Sequence, residues 1–259
     1  HGYELKERPT AEVYKRLVDT EENKYITRLT QLICTFIGNF KTQGFKGGKF
    51  ADFRGNTKNV RTKLFLDICE VCFLEYQQAL KEQHCIDFED MINESAELIR
   101  KKQIEREKLD YKYIIVDEYQ DISRQRYNLI KELSTLCDAK IMAVGDDWQS
   151  IYRFSGSDMA LFNQFSEYFG ATEINKIETT YRFGEPLVSL SSRFIQRNKA
   201  QIQKCIHSFN PAMKTGLEFY PYDSQNYCSI VEQLVASIPL DKSIFLLGRY
   251  SFDDYYLSF

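Results

Sequence analysis

Two adjacent carboxylates, Asp117 and Glu118, follow directly on the apolar run Tyr113-Ile114-Ile115-Val116. The run is rich in β-branched residues and predicts a short strand buried on both faces. Ligands of open α/β sheets bind outside the carboxyl ends of the strands, which is where these two acids fall. Asp117 is placed there to hold Mg²⁺, usually through water, and Glu118 to orient or deprotonate an attacking water. Taken alone, an apolar run followed by Asp-Glu is equally a strand ending in a solvated acidic turn.

Two further stretches accompany it. One is Ala143-Val144-Gly145-Asp146-Asp147-Trp148-Gln149-Ser150-Ile151-Tyr152-Arg153-Phe154-Ser155-Gly156, and the other is Glu178-Thr179-Thr180-Tyr181-Arg182-Phe183. With Asp117-Glu118-Tyr119-Gln120-Asp121 they resemble, in order, spacing and wording, motifs II, III and IV of the superfamily 1 DNA helicases of UvrD/Rep type. The wording is most similar to the helicase IV branch. The close resemblance covers residues 86 to about 198, and more loosely the rest.

The resemblance implies partial RecA-like P-loop NTPase lobes, each a parallel sheet with flanking helices, preceded by an all-helical insertion. It implies ATP and Mg²⁺ as cofactors, held by Asp117, Glu118, Gln120, Gln149 and Arg182, with Asp117 on the metal. Glu118 is then the catalytic carboxylate. Gln149 fits a sensor, because an uncharged amide can donate to a γ-phosphate oxygen and report its loss. Arg182 becomes a γ-phosphate contact from across the cleft, an arginine finger in role. Tyr152 and Phe154 would stack on bases of a single strand; on composition alone both rings would be core residues. Ser155 stands where UvrD-like members often carry Arg, which puts one DNA contact in doubt. The implied partners are single-stranded or junction DNA and the remainder of the helicase chain, in the bacterial cytoplasm at the nucleoid. DNA repair is an implied setting.

The elements that must position these residues are legible in part. Apolar residues at spacings of three and four predict a helix over residues 10–40 and a second from about Thr62 to residue 83. Asp87 caps a helix running to about Lys102, with Asp90 three residues later and acids in its first turn. Residues 124–137 read as an amphipathic helix, and Lys140 to Val144 as a second buried strand. Both polar turns then leave the same sheet edge. Pro186 opens a helix to about Asn198. Residues 217–220, 230–236 and 243–248 read as strand, helix and strand. The expected domains are therefore 1–85 (a 1B-like helical subdomain), 86–172 (the rear of lobe 1A) and 173–259 (the start of lobe 2A).

Residues 41–63 carry seven cations, among them Lys46, Lys49 and Arg54, against the single acid Asp52, in a chain of net charge −3. Phe45, Phe50 and Phe53 are interleaved. Such a loop suits a phosphate-tracking surface with stacking platforms, and it suits equally a solvated loop whose rings tuck into the helical pair. Gly44-Phe45-Lys46-Gly47-Gly48-Lys49-Phe50 is not a phosphate loop. Its spacing is one residue short, Phe50 replaces the Mg²⁺-binding hydroxyl, and no strand precedes it.

The rest is exclusion. No run of eighteen apolar residues predicts a membrane span, and the N-terminal stretch lacks a signal-peptide core. Seven scattered cysteines suit free thiols in a reducing compartment. Cys69, Cys72, His84 and Cys85 are awkward partners for one zinc ion on a helix. The missing initiator Met and phosphate loop are read as marks of a helicase fragment, inactive by itself. Its incomplete sheet should leave apolar surface exposed. A non-catalytic helicase-like DNA-binding or scaffold module is the alternative.

Overall fold

The computed structural model describes residues 22–152, 156–213, 216–221, 223 and 226–248. It divides into two compact units. The first holds the described residues up to Lys176 together with Asn198–Gln203, and the second holds Ile177–Arg197 and the described residues from Lys204 onward.

The first unit begins with helix α1 (Glu22–Thr42), the short α2 (Lys49–Asn56) and α3 (Val60–Glu82). The side chain of Asn59 caps α3 by accepting from the N–H groups of Arg61 and Thr62, two of the donors a helix start leaves unmet. The predicted start of α1 at residue 10 lies outside the described residues. Phe40, Phe50, Leu66, Cys69 and Phe73 form the core between these helices, with Phe36, Phe45, Phe53 and Phe65 packed against it. Phe40 stacks on Phe50 at 4.4 Å between centroids, and Phe50 is fully buried. The basic stretch thus runs from the end of α1 through α2 to the start of α3, with Phe50 buried and Phe45 and Phe53 packed half-buried against the same core. Full burial of a ring such as Phe50 is favoured over leaving it in water by roughly 2 kcal/mol.

Helix α4 (Phe88–Arg100) starts where the sequence puts it, with the Asp87 carboxylate accepting from Asp90 N–H at 2.7 Å. Lys41, 3% exposed, reaches back from α1 to pair with Asp87 and, at 2.8 Å, with Asp90. Tyr76 of α3 donates to Asp87 at 2.9 Å, and Gln77 to Asp90 at 3.1 Å. One buried cation therefore ties α1, α3 and α4 together. Burial pushes the Asp87 carboxyl up, but hydrogen bonds from Lys41, Asp90 N–H and Tyr76 more than reverse this, so it lies below its ordinary value.

Helix α4 packs along α5 (Arg124–Cys137), which covers one face of a sheet made of β1 (Tyr113–Val116) and β2 (Lys140–Ala143). The two strands are parallel, with Tyr113 opposite Lys140 and Val116 opposite Ala143. Val116, Ala143, Tyr127 and Ile130 join the second core around Tyr119, Ile122 and Leu161. Phe162 of α6 (Met159–Asn163) and Phe165 and Phe169 of α7 (Phe165–Phe169) complete it. The expectation of strands buried on both faces is corrected here. Tyr113 and Ile115 are each 68% exposed and Met142 is 57% exposed, because helices cover only one face among the described residues. Parallel sheets ordinarily have both faces covered, and this one shows the exposed apolar surface expected of an incomplete sheet.

In the second unit, β3 (Thr179–Thr180) pairs in parallel with β4 (His207–Ser208). Between them runs α8 (Glu185–Ile195), with Pro186 in its first turn, where a missing N–H costs nothing. Glu185 accepts from Ser208 N–H at 3.0 Å and fixes the helix start to β4. Helix α9 (Tyr227–Ser237) follows. The strands expected at 217–220 and 243–248 do not form. A strand needs a ladder partner and a buried face, whereas Phe219, Phe245 and Leu247 stand more than four-fifths exposed.

Candidate active site

The site is built where β1 and β2 end. Val116 hands over to Asp117, and Glu118 then adopts a left-handed conformation at φ +49°. A non-glycine residue held there costs of order 1–3 kcal/mol and is found where the surroundings over-determine it. Three contacts over-determine it here. Asp117 Oδ1 accepts from Glu118 N–H at 2.9 Å, Tyr119 N–H donates to the Val144 carbonyl at 2.9 Å, and the buried Tyr119 ring packs edge-on to Phe165. The Glu118 side chain is thereby sent outward, exposed beside Asp117.

Gln120 joins the two turns. It is 2% exposed, and both ends of its amide are engaged. Its Nε2 donates to Glu118 Oε2 at 2.6 Å, and its Oε1 accepts from Asp146 N–H at 2.9 Å. Asp146 caps the next turn, Asp147–Gln149, by accepting from Trp148 N–H at 3.1 Å, and also accepts from Gln149 Nε2 at 2.8 Å. Glu118, Gln120, Asp146 and Gln149 thus form one hydrogen-bonded chain across the ends of two parallel strands.

Gly145 is what lets Gln120 in. A Cβ on Gly145 would stand 2.5 Å from Gln120 Oε1 and 2.8 Å from Phe162. Gly145→Ala is therefore expected to destabilise the chain by roughly 1–3 kcal/mol, as overpacking does. Thermal unfolding of the purified variant checks this, and an unchanged midpoint would show that the two turns are not locked as described.

Asp117 and Glu118 make no ion pair among the described residues, and the two turns carry five acids, Asp117, Glu118, Asp121, Asp146 and Asp147. Burial raises the Asp121 carboxyl above its ordinary value, and Glu118 nearby adds to the rise. An exposed, uncompensated Asp at a strand end fits Mg²⁺, which binds through one or two carboxylates while keeping waters and phosphate oxygens as its other ligands. A site made by protein alone is not offered. Among the described residues no group of three or more His, Cys, Asp or Glu could hold an ion.

The other predicted residues are placed as follows. Gln149 is exposed, and Tyr152 is 47% exposed. Phe154 and Ser155 lie outside the described residues. Arg182 is in the second unit, exposed, and in no ion pair among the described residues. Lys46 pairs with Glu97, Lys49 with Asp52 at 2.9 Å, and Arg54 with Glu70 and, at 3.3 Å, with Asp67. Each of the three cations thus has a carboxylate partner within the first unit, and the side chains of Lys46 and Lys49 stay exposed.

Sequence reasoning passed over Asp147 and Trp148. Asp147 is 1% exposed and accepts from Ile202 N–H at 2.7 Å, while Trp148 Nε1 donates to the Ile202 carbonyl at 3.0 Å. A charged residue and an indole inside a turn were the available signal. Their partner is backbone and leaves no trace in sequence.

The UvrD/REP helicase N-terminal domain is the family whose pattern matches this chain, over residues 3–170. The chain belongs to that family. Asp117, Glu118, Gln120 and Gln149 lie inside the matched span of the UvrD/REP domain, and Arg182 lies beyond it. DNA helicase IV of Escherichia coli is 34% identical over 176 residues, which is 68% of this chain and 25% of that protein. DNA helicase II of Rickettsia typhi is 29% identical over 197 residues, 75% of this chain and 28% of that protein. The ATP-dependent DNA helicase PcrA of Bacillus subtilis is 29% identical over 140 residues, 53% of this chain and 19% of that protein. The UvrD/REP segment in hand thus spans about a quarter of the length of its relatives. Among the described residues, no helix is long and apolar enough to cross a membrane.

Proposed function

We propose that this chain is a segment of an ATP-dependent DNA helicase that moves 3′ to 5′ along single-stranded DNA. The observation that carries the reading is the hydrogen-bonded chain from Glu118 through Gln120 and Asp146 to Gln149. It holds a carboxylate pair and an exposed amide together at the ends of two parallel strands. Family membership supports the DNA helicase activity, while direction and coupling rest on the resemblance of the three motifs.

In this reading the sheets are parts of two RecA-like lobes, with residues 1–85 a 1B-like subdomain, 86–172 the rear of lobe 1A and 173–259 the start of lobe 2A. When bound, Mg·ATP brings the phosphoryl group and the metal charge that neutralises it. Asp117 would be the residue to hold the metal. Glu118 takes the proton of the attacking water, and Gln120 keeps its carboxylate turned to the site. Gln149, whose amide donates to Asp146 at 2.8 Å, would be the residue able to donate to a γ-phosphate oxygen and so sense its loss. For Arg182, in the second unit, the resemblance of its motif supports a γ-phosphate role. Tyr152 and Phe154 stack on bases. DNA as the track puts the protein at the nucleoid, in the cytoplasm.

The sequence contains no Gly-x-x-x-x-Gly-Lys-Ser/Thr, and that favours a second reading, a helicase-like DNA-binding or scaffold module without turnover. One assay separates the two. The full-length parent should hydrolyse ATP faster with single-stranded DNA, whereas this chain alone, lacking the phosphate cradle, should not approach that rate. In the parent, Tyr152→Ala and Phe154→Ala should each weaken single-strand binding by about 1–3 kcal/mol and leave DNA-independent turnover intact. A parent without turnover would select the scaffold. Variants that bind DNA normally but melt early would make the rings core residues.

A further inference from the structure

Helix α1 carries one apolar stripe, and among the described residues only half of it is covered. Ile33, Phe36, Ile37 and Phe40 face the core shared with α2 and α3. The same spacing of three and four continues toward the start of the helix through Tyr25, Ile26, Leu29 and Leu32. Those four side chains are between 41% and 72% exposed, although they lie on the face that is core further along. The cover runs out because α3 starts too late. The two helices run in the same sense, Phe65 packing edge-on to Phe36 and Phe73 to Phe40, at 5.5 and 5.4 Å between centroids. Helix α3 begins at Val60, just over one turn before Phe65, so its start points toward the uncovered half of α1.

The charge around this face is one-sided. Residues 25–32 and 57–66 hold four cations, Arg28, Lys58, Arg61 and Lys63, and no acid, in a chain of net charge −3. All four are exposed and make no ion pair among the described residues. Lys46, Lys49 and Arg54, by contrast, each have a carboxylate partner. Arg61 and Lys63 also lie in the first turn of α3, where the helix dipole disfavours cations. Their placement costs the helix stability and leaves a positive field at the rim of an apolar face.

We propose that the first half of α1, with the start of α3, is a docking face for an acidic amphipathic helix of a partner protein. A helix continues the packing that α3 gives to the other half of the stripe. Residues 22–32 of α1 make about 16 Å of helix, so roughly three turns of partner fill the face. Its apolar residues, at spacings of three and four, meet Ile26 and Leu29 as a helix laid in a groove does. Its Asp and Glu residues meet Arg28, Lys58 and Arg61 and set the register. A nucleic acid would answer the cations and leave the stripe open, since aliphatic side chains give bases little to stack on.

The test titrates the full-length parent with a synthetic helical peptide of about 18 residues, Leu on one face and Glu on the other. Saturable binding is expected, weaker in high salt, and at least about tenfold weaker for a scrambled peptide of the same composition. Ile26→Gln, Leu29→Gln and the double variant Lys58→Glu, Arg61→Glu should each weaken it about tenfold or more. The substituted side chains are exposed, so unfolding midpoints and the affinity for a single-stranded oligonucleotide should stay those of the parent. Absence of saturable binding would overturn the proposal, as would equal binding of the scrambled peptide or of the folded variants. An oligonucleotide that displaces the peptide, and is itself lost in the charge variant, would assign the face to nucleic acid and overturn it as well.

Discussion

Glu118→Gln in the full-length parent is expected to abolish ATP turnover, by a factor of at least about 10², while leaving nucleotide binding intact. The amide keeps the shape of the carboxylate and can still accept from Gln120 Nε2, which stands 2.6 Å from Glu118 Oε2. The left-handed turn and its bracket to Asp146 therefore survive, and what is lost is the base. A steady-state assay beside a nucleotide-binding titration separates the two quantities. Turnover within about threefold of the parent would show that Glu118 is not the catalytic carboxylate.

Lys41→Met should cost this chain about 3 kcal/mol of stability, because it leaves Asp87 and Asp90 without their cation. The lower end of the usual range applies, since the Asp87 and Asp90 side chains keep 20% and 12% of their exposure. The effect depends on pH in a fixed direction. The Asp87 carboxyl lies below its ordinary value when folded, so its contribution is present above that value and is lost as pH falls below about 3.9. The gap between parent and variant should be widest near neutrality and should shrink in acid. Denaturant unfolding at both pH values measures it. Equal stability at pH 7 would mean that the cluster does not bind the three helices together.

The sequence reading and the structure agree best where a local signal sets the local outcome. The Asp87 cap, the limits of α5 and the pairing of the two turns after β1 and β2 were all legible, because capping, helical period and strand length are written in neighbouring residues. The aromatic stretch 41–63 was not. Whether Phe50 stacks on a base or fills a core depends on Phe40 and Phe73, and these belong to other helices. The exposed face of β1 and the missing strands at 217–220 and 243–248 have the same origin. An apolar strand pattern states what a segment would do with a partner and a cover, and the described chain does not supply them. At the site, the positions of Asp117, Glu118 and Gln149 could be anticipated from their motifs. The two-sided use of Gln120 could not, since it depends on how closely Gly145 allows the second turn to approach.

The central claim is that the turns after β1 and β2 are the metal-and-water half of an ATP site. A crystal structure of the full-length parent with ADP, a γ-phosphate analogue and Mn²⁺ in place of Mg²⁺ tests it directly, the metal being located by its anomalous scattering. The account predicts the metal on Asp117, directly or through one water, the Gln149 amide turned from Asp146 to the phosphate analogue, and a water against Glu118. A metal and phosphate bound elsewhere, with Asp117 and Glu118 still facing solvent, would contradict it.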